Sequence, residues 1–403
     1  MIRISTPMIQ SAGAAAVLQD ESNLYQIQQQ LSTGRSVNTA GDNPLAAAQA
    51  TEVAAQAAIN TQYTANQQQA TAHVSLAEST LGSVQNVLQQ VRQSLVQAGG
   101  GALTDTDRTT IAQSLQQDYN QLLSLANSRD TDGTYLFGGF NQNTQPFTAT
   151  TTGAQYNGDQ GVRTLQVAGG ATMPISANGA QIFQMVRTGN GTFSAAQNPA
   201  NTGTGTIDQG SVTNFSQLTG DQYAINFAVA GGNTTYTVVD TTKNVTVVNA
   251  TAYSAGSAIQ FAGQEVSVSG APANGDSFTV APSANQDIFT TIQNAIAALN
   301  VPQASSASQA AFTTQMGASI ADVDQGLNNS IVARSQMGAN LQELASLGTS
   351  TSSLNVSYQT QLTNLTQVDY ASAVTQFMSA QTAYQAVQTT YAKFSQENLF
   401  SLL

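Results

Sequence analysis

Apolar residues recur along this chain at helical spacing in two blocks, with a block of strict alternation between them. Ala70, Val74, Ala77, Leu81, Val84, Leu88, Val91 and Leu95 follow one another at intervals of four and three. This is the narrow, sustained a/d pattern of a coiled-coil seam. Near the C-terminus Tyr370, Ala373, Phe377, Ala380, Tyr384, Val387, Tyr391 and Phe394 repeat the pattern without a break. A weaker copy near the start reads Val17, Leu24, Ile27 and Leu31, with Asp20 in the intervening slot. Long helices are therefore predicted over residues 1 to about 132 and again over 285–403. Asp42-Asn43-Pro44 and Thr104-Asp105 supply helix starts, a capping side chain followed in the first case by Pro at the first turn. The stretch AGGGA at 98–102 ends the helix between them. If helical throughout, residues 44–97 extend roughly 80 Å at 1.5 Å per residue, which is a rod.

From 133 to about 284 the period changes to two. Tyr223, Ile225, Phe227 and Val229 alternate with small or polar residues, and Gly-Gly-Asn turns the chain into TTYTVV. NVTVV, IQFAG, EVSVSG and DSFTVA continue at short intervals with Gly, Pro or Asn between them, the pattern of a small all-β sandwich or barrel. Helix, strand, helix in that order predicts a multi-domain α+β chain. A discontinuous α-helical coiled-coil and rod domain is built from both termini, and an all-β domain is inserted in it. The expected division is a terminal coiled-coil layer at 1–43 and 358–403, a helical rod at 44–147 and 285–357, and a β insert at 148–284.

Charge then changes the picture. Only 8% of the 403 residues are charged, against about 25% in an ordinary domain. The balance is 22 acidic to 10 basic residues, net −12. With no Lys/Arg cluster to neutralise phosphates or anionic lipid, nucleic-acid and membrane partners are excluded. The polar faces of the predicted helices carry Gln, Ser, Thr, Asn and Ala instead. Enclosing an ion costs several kcal/mol unless it is well paired, whereas a hydrogen-bonded amide or hydroxyl costs much less. Helices of this composition suit enclosure by other helices, and the seams are expected to pack between subunits.

Candidate chemistry is sparse. Cys is absent, which removes thiolate nucleophiles, disulfides and Cys-based zinc sites. His73 is the single His, so H-E-x-x-H cannot occur, and no G-x-S-x-G accompanies it. RDTDGTY at 129–135 has the look of a calcium loop, but Asn141 stands where an EF-hand needs Glu; a polar turn ending a helix is the expectation. STGR at 32–35 lacks a phosphate-loop frame and reads as a helix break. NGT, NFS, NTT and NVT match the N-glycosylation triplet in a chain so rich in Asn and Thr that chance produces them. No enzyme activity, cofactor or metal is expected.

At both ends the chain resembles the flagellin superfamily, and within it the hook-associated proteins of the hook–filament junction. MIRISTPMI and QQLSTGRSVNTAGDNPLAAAQA are similar to the superfamily's start, helix break and Ala-rich helix, although Gly41 and Asn43 replace its commoner residues. DGTYLFGGFNQNTQPF (132–147) resembles the junction proteins more specifically, with Tyr135, Phe137, Gly138, Gly139 and Pro146-Phe147 matching. YNGDQGVRTLQV (156–167) adds Gly158, Asp159 and Arg163, followed by NGAQIF, GAPANGDSFTV and the C-terminal DYASAVTQF…ENLFSLL. The resemblance is thin over 185–265 and 300–345. It implies a structural adapter of the bacterial flagellum that forms a ring or short helical layer of copies. The implied partners are the first hook-associated protein, flagellin and a flagellar export chaperone, with export to the extracellular flagellum without signal cleavage. The assembly-interface residues expected on this basis are the seam positions Val17, Leu24, Ile27, Leu31, Tyr370, Phe377, Tyr384, Val387, Tyr391 and Phe394. The alternatives are a flagellin filament subunit, or a secreted adhesin acting through residues 148–284.

Overall fold

A computed structural model of the chain describes residues 6–100 and 103–396. Its helices are α1 (Thr6–Thr33), α2 (Pro44–Gly99), α3 (Asp105–Ala126), α4 (Ile288–Leu299), α5 (Ser306–Thr366) and α6 (Tyr370–Gln396). The named strands all lie between α3 and α4, from Phe147 to Gln286. The chain therefore leaves a helical region and returns to it, as the change of period predicts. Two compact units form, one from residues 1–65 with 346–403 and the other from residues 66–345. Both α2 and α5 contribute to each unit as unbroken helices.

The helix starts follow from their side chains, and the structure decides which residue of Asp42-Asn43-Pro44 is the cap. Asn43, not Asp42, caps α2: its Oδ1 accepts the Ala46 N–H at 3.1 Å. A cap must reach the second or third helical N–H, and Asn43, directly before Pro44, is placed to do so. Thr104 caps α3 reciprocally, its Oγ1 accepting the Asp107 N–H while Asp107 accepts the Thr104 N–H.

Every position of the seam from Ala70 to Leu95 is buried, none exposed by more than 2%. The cover is the chain's own. Ile111, Leu115 and Leu122 of α3, Ile288, Phe289 and Ile292 of α4, and Met316 and Val323 of α5 share that core. The expectation of subunit packing fails for this seam because other helices of the same unit already enclose it. Each fully buried Leu or Val here stabilises the fold by about 1.5–3 kcal/mol. The ion pairs Arg92–Asp324 (2.6 Å) and Arg334–Glu78 (2.5 Å) join α2 to α5 at the surface, where such pairs contribute little.

The strand region has two parts with separate cores. In the first, β1 (Phe147–Ala149) pairs with β2 (Ala154–Tyr156), and β3 (Thr164–Ala168) with β4 (Ala171–Pro174). This part belongs to the helical core. Phe183 packs against Phe137, Phe147 and Phe289 of α4, and Phe147 also against Phe289, with ring centroids 5.3–6.0 Å apart. The second part begins after β5 (Val186–Arg187). It comprises β6 (Phe193–Gln197), β7 (Thr206–Ile207), β8 (Ser211–Val212), β9 (Tyr223–Ala230), β10 (Asn233–Asp240) and β11 (Val245–Ala252). It continues with β12 (Ala258–Phe261), β13 (Gln264–Ser269) and β14 (Ser277–Pro282), and β15 (Asn285–Gln286) returns to pair with β5.

One sheet has the order β11-β10-β9-β14-β6. The other has β12-β13-β7, with β8 also on β13. They enclose a core of their own containing Ile225, Phe227, Val238 and Val280 from the first sheet and Ile259, Val266 and Val268 from the second, which makes a small sandwich. Tyr223, Ile225 and Phe227 face this core, but Val229 is 38% exposed because the hairpin tip runs past it. Gly231 and Gly232 turn that hairpin with φ of 61° and 82°, the pair of positive values that a two-residue hairpin turn requires.

Candidate assembly surfaces

α1 and α6 pack as an antiparallel pair. A Cβ on Gly13 would lie 2.9 Å from the Tyr391 ring, and one on Gly34 would lie 2.9 Å from the Tyr370 hydroxyl. These two contacts fix one register, in which Val17 is level with Val387, Leu24 with Ala380, and Ile27 with Phe377. The seam positions Val17, Leu24, Ile27, Leu31, Phe377, Tyr384, Val387 and Tyr391 all face this pair, yet each stays only partly covered. Among the described residues of α1 and α6, Ala373 alone is buried. Tyr370, at the first turn of α6, is 52% exposed, and its hydroxyl rests on the helix break at Gly34. The side chain of Phe394 lies outside the described residues.

The break between α1 and α2 is an ordered turn, and it is clipped to the break between α5 and α6. The Ser36 N–H donates to the Thr366 carbonyl at 2.8 Å, and the Val368 N–H to the Gly34 carbonyl at 3.0 Å. Val37 and Val368 are buried in these breaks. Asp42 accepts the N–H groups of Thr39 and Asn38 at 2.8 and 2.9 Å. Those backbone donors, Thr39 first, hold its carboxyl below the usual range. The stretch from Ser32 to Pro44, whose charged residues are Arg35 and Asp42, thus works as a connector held by hydrogen bonds within itself and to the α5–α6 break.

Outside the seam, the same unit exposes Leu18 (66%), Tyr25 (68%), Val374 and Met378 (64%) along α1 and α6, with Val356 on α5. Apart from Asp20 and Glu21 on α1 and Lys393 on α6, these two helices carry no charged residue over their described length.

In the other unit, the segment from Phe137 to Arg163 builds a second surface. Asp159 Oδ1 accepts the Phe140 N–H at 2.9 Å and the Gly161 N–H at 2.7 Å. These donors keep its carboxyl low. Tyr156 Oη donates within reach of the Phe137 and Asp159 carbonyls; burial pushes this phenol up to about 12. Arg163 Nη1 donates to Gln142 Oε1 at 2.8 Å. Gly139, at φ 71°, has no room for a Cβ beside Asp159. The product of this bonding is one aromatic presented to solvent, Phe140, 63% exposed and lying over Gly161. Phe140 is absent from the residues singled out in the sequence, although an aromatic directly after Gly-Gly, among Asn and Gln, was a legible signal.

The His73 neighbourhood is structural. His73 Nδ1 lies 3.3 Å from Asp130 Oδ2, and Asp132 is close by. The Asp130 oxygens are taken by the Thr134 N–H and hydroxyl and by the Asp132 N–H. Burial alone would raise this carboxyl, but the Thr134 bonds and the imidazole bring it below its ordinary value. The charge of Arg163 also acts at this site. A carboxylate so occupied, beside a guanidinium, is a poor cation ligand, and the segment is the polar turn that its sequence suggests.

Comparison with known proteins decides the family. Residues 4–142 match the bacterial flagellin N-terminal helical region. Residues 196–282, nearly the whole sandwich, match the D2-like domain of flagellar hook-associated protein 1. The chain is 28% identical over 407 residues to flagellar hook-associated protein 3 of Salmonella typhimurium, covering 100% of this chain and 99% of that one. It is 32% identical to the crystal structure of flagellar hook-associated protein 3 from Legionella pneumophila, covering 78% of this chain and 98% of that one, with a TM-score of 0.75. The chain belongs to the flagellar hook-associated protein 3 family. FlgL of Xanthomonas campestris, 32% identical with a TM-score of 0.71, covers 76% of this chain and 98% of its own length. Members of the hook-associated protein 3 family are structural proteins of the hook–filament junction of the flagellum, not enzymes. That assignment sets aside the filament-subunit and adhesin alternatives.

Proposed function

We propose that this junction protein is an adapter whose α1–α6 pairs pack with copies of themselves into a ring or short helical layer. In this reading the layer contacts the first hook-associated protein on one side and flagellin on the other. The observation that carries the reading is the partly covered seam of the α1–α6 pair. Val17, Leu24, Ile27, Leu31, Phe377, Tyr384, Val387 and Tyr391 retain surface that their own partner helix does not cover. Leu18, Tyr25 and Met378 beside them are open. The flanking Gln, Ser, Thr and Asn faces can be enclosed at low cost. Residues 1–43 and 358–403 would then form the inner layer, 44–147 and 285–357 the helical rod, and 148–284 the outward domain. The chain would travel to the extracellular flagellum through the flagellar type III apparatus, held by an export chaperone and without signal cleavage.

The test is deletion of the gene in its host, with electron microscopy of cells and a flagellin blot of the medium. Hooks without filaments, with flagellin released to the medium, are expected. Normal filaments in the deletion strain would refute the adapter role.

A further inference from the structure

The unit formed by residues 66–345 carries both an apolar knob and an apolar hole, at places that cannot meet within one chain. The knob is Phe140, with Val162 beside it, fixed by the two backbone N–H bonds to Asp159. The hole is a cavity of about 330 Å³ between β6 and the α4–α5 turn, lined by Ala195, Pro199, Ala298, Val301, Ala311 and Phe312 among others. The knob's base, Phe137, stacks through Phe183 onto Phe289 in the first turn of α4, whereas Ala298 of the hole lies in the last turn. Phe289 and Ala298 are nine residues apart on α4, which separates the two by roughly 14 Å of helix at 1.5 Å per residue.

We propose that Phe140 of one copy seats in this cavity of the next copy around the junction. This contact rests on the reading that copies assemble side by side. A second copy is the occupant for three reasons. No lining residue of the cavity is charged, so a chain of net −12 meets its like there without repulsion. The polar part of the lining is uncharged amide and hydroxyl, from Gln197, Gln303, Ser308 and Gln315 among others, and it suits the equally uncharged Asn141, Gln142 and Asn143 that follow Phe140. A knob and a hole on different patches make a head-to-tail contact, which propagates into a ring or helix, whereas a self-complementary patch stops at a dimer. An aromatic held rigidly before binding also loses little entropy on docking.

The absence of Cys makes the test clean. Val162→Cys and Gln315→Cys are placed in two differently tagged copies, co-expressed, and hook–filament structures are isolated and treated with a short bis-maleimide. A product of twice the chain mass carrying both tags is expected, at least tenfold above either copy alone. Adding Phe140→Ser to the first copy should remove that excess. Ala311→Trp in the second copy, which fills the hole instead of removing the knob, should do the same. No cross-link between chains that are present in the structures overturns the proposal. So does a cross-link unchanged by both blocking variants, or a product joining Val162→Cys to a protein of different mass. Absence of the wild-type chain from these structures would sink the assembly reading, and this contact with it.

Discussion

Asp322 shows how a single residue can tune this molecule. It sits on α5 and accepts the Gly189 N–H at 2.6 Å, where the chain enters the sandwich. Burial raises its carboxyl to about 6, against the opposing pull of that N–H. An acid whose folded value lies above its unfolded one makes the native state hold a proton that the unfolded chain has released. Its contribution to stability is therefore complete below about pH 4 and is lost as pH rises through 6. Asp322→Asn keeps an acceptor for Gly189 without the charge. It should stabilise the chain at pH 7.5 by on the order of 2–3 kcal/mol and leave stability unchanged at pH 4. Denaturant midpoints of both proteins at the two pH values check this, and an equal shift at both would contradict it. A plainer case is Asn43→Ala, which removes the cap of α2 and should cost about 1 kcal/mol; Asp42→Ala should instead loosen the 38–42 turn. From sequence, either side chain of Asp42-Asn43-Pro44 could serve as the cap, because the motif fixes the location of a helix start and leaves the hydrogen bond open.

At the scale of the element, the intervals of three and four identified which residues of α1, α2 and α6 face inward, but not what they would meet. The seam from Ala70 to Leu95 and the seam of α6 share one spacing, yet the first is closed by α3, α4 and α5, while the second, among the described residues, packs on α1 and stays partly covered. Periodicity is a property of one helix. The number of helices covering it depends on residues distant in sequence, and the thinly patterned stretch around Met316 and Val323 gave little warning that it completes a core. The difference predicts two classes of variant. Phe377→Asp and Tyr384→Asp place a charge in the α1–α6 seam, and should lower helical ellipticity and abolish incorporation into hook–filament structures. Met378→Asp lies on the open face, 64% exposed. It should leave ellipticity unchanged while incorporation falls at least tenfold. Neither class should move the unfolding transition of the sandwich. Normal incorporation of Met378→Asp would exclude that face from subunit contact.

At the scale of the whole molecule, the region between α3 and α4 reads in sequence as one β insert, and its alternation does predict the sandwich strands. What the alternation hides is that residues up to β5 lodge Phe147 and Phe183 in the helical core. The independent sandwich begins only beyond the neck formed by β5 and β15. Short strands contribute too few residues to reveal which core they feed. Across the neck the Thr188 N–H donates to the Ala284 carbonyl at 2.9 Å, Arg187 Nη1 to the Ser283 carbonyl at 3.0 Å, and Ser283 Oγ to the Thr188 carbonyl at 2.7 Å. The ends of the sandwich therefore meet, and its apolar residues form a cluster separate from the helical one. Hydrogen bonds also tie it to α5, the Gly189 N–H donating to Asp322 and the Ile207 N–H to the Thr314 hydroxyl. Residues 188–284 expressed alone should consequently fold, with dispersed amide resonances and a cooperative thermal transition. The complementary chain, with 189–283 replaced by a short Gly-Ser linker, should keep its helical ellipticity, because no core residue between Ala70 and Val186, or from Ile288 onward, is removed. Collapsed amide dispersion in the fragment would mean that α5 supplies part of the sandwich's stability. Loss of helix in the linker chain would mean that the neck, rather than the aromatic cluster around Phe289, closes the helical core.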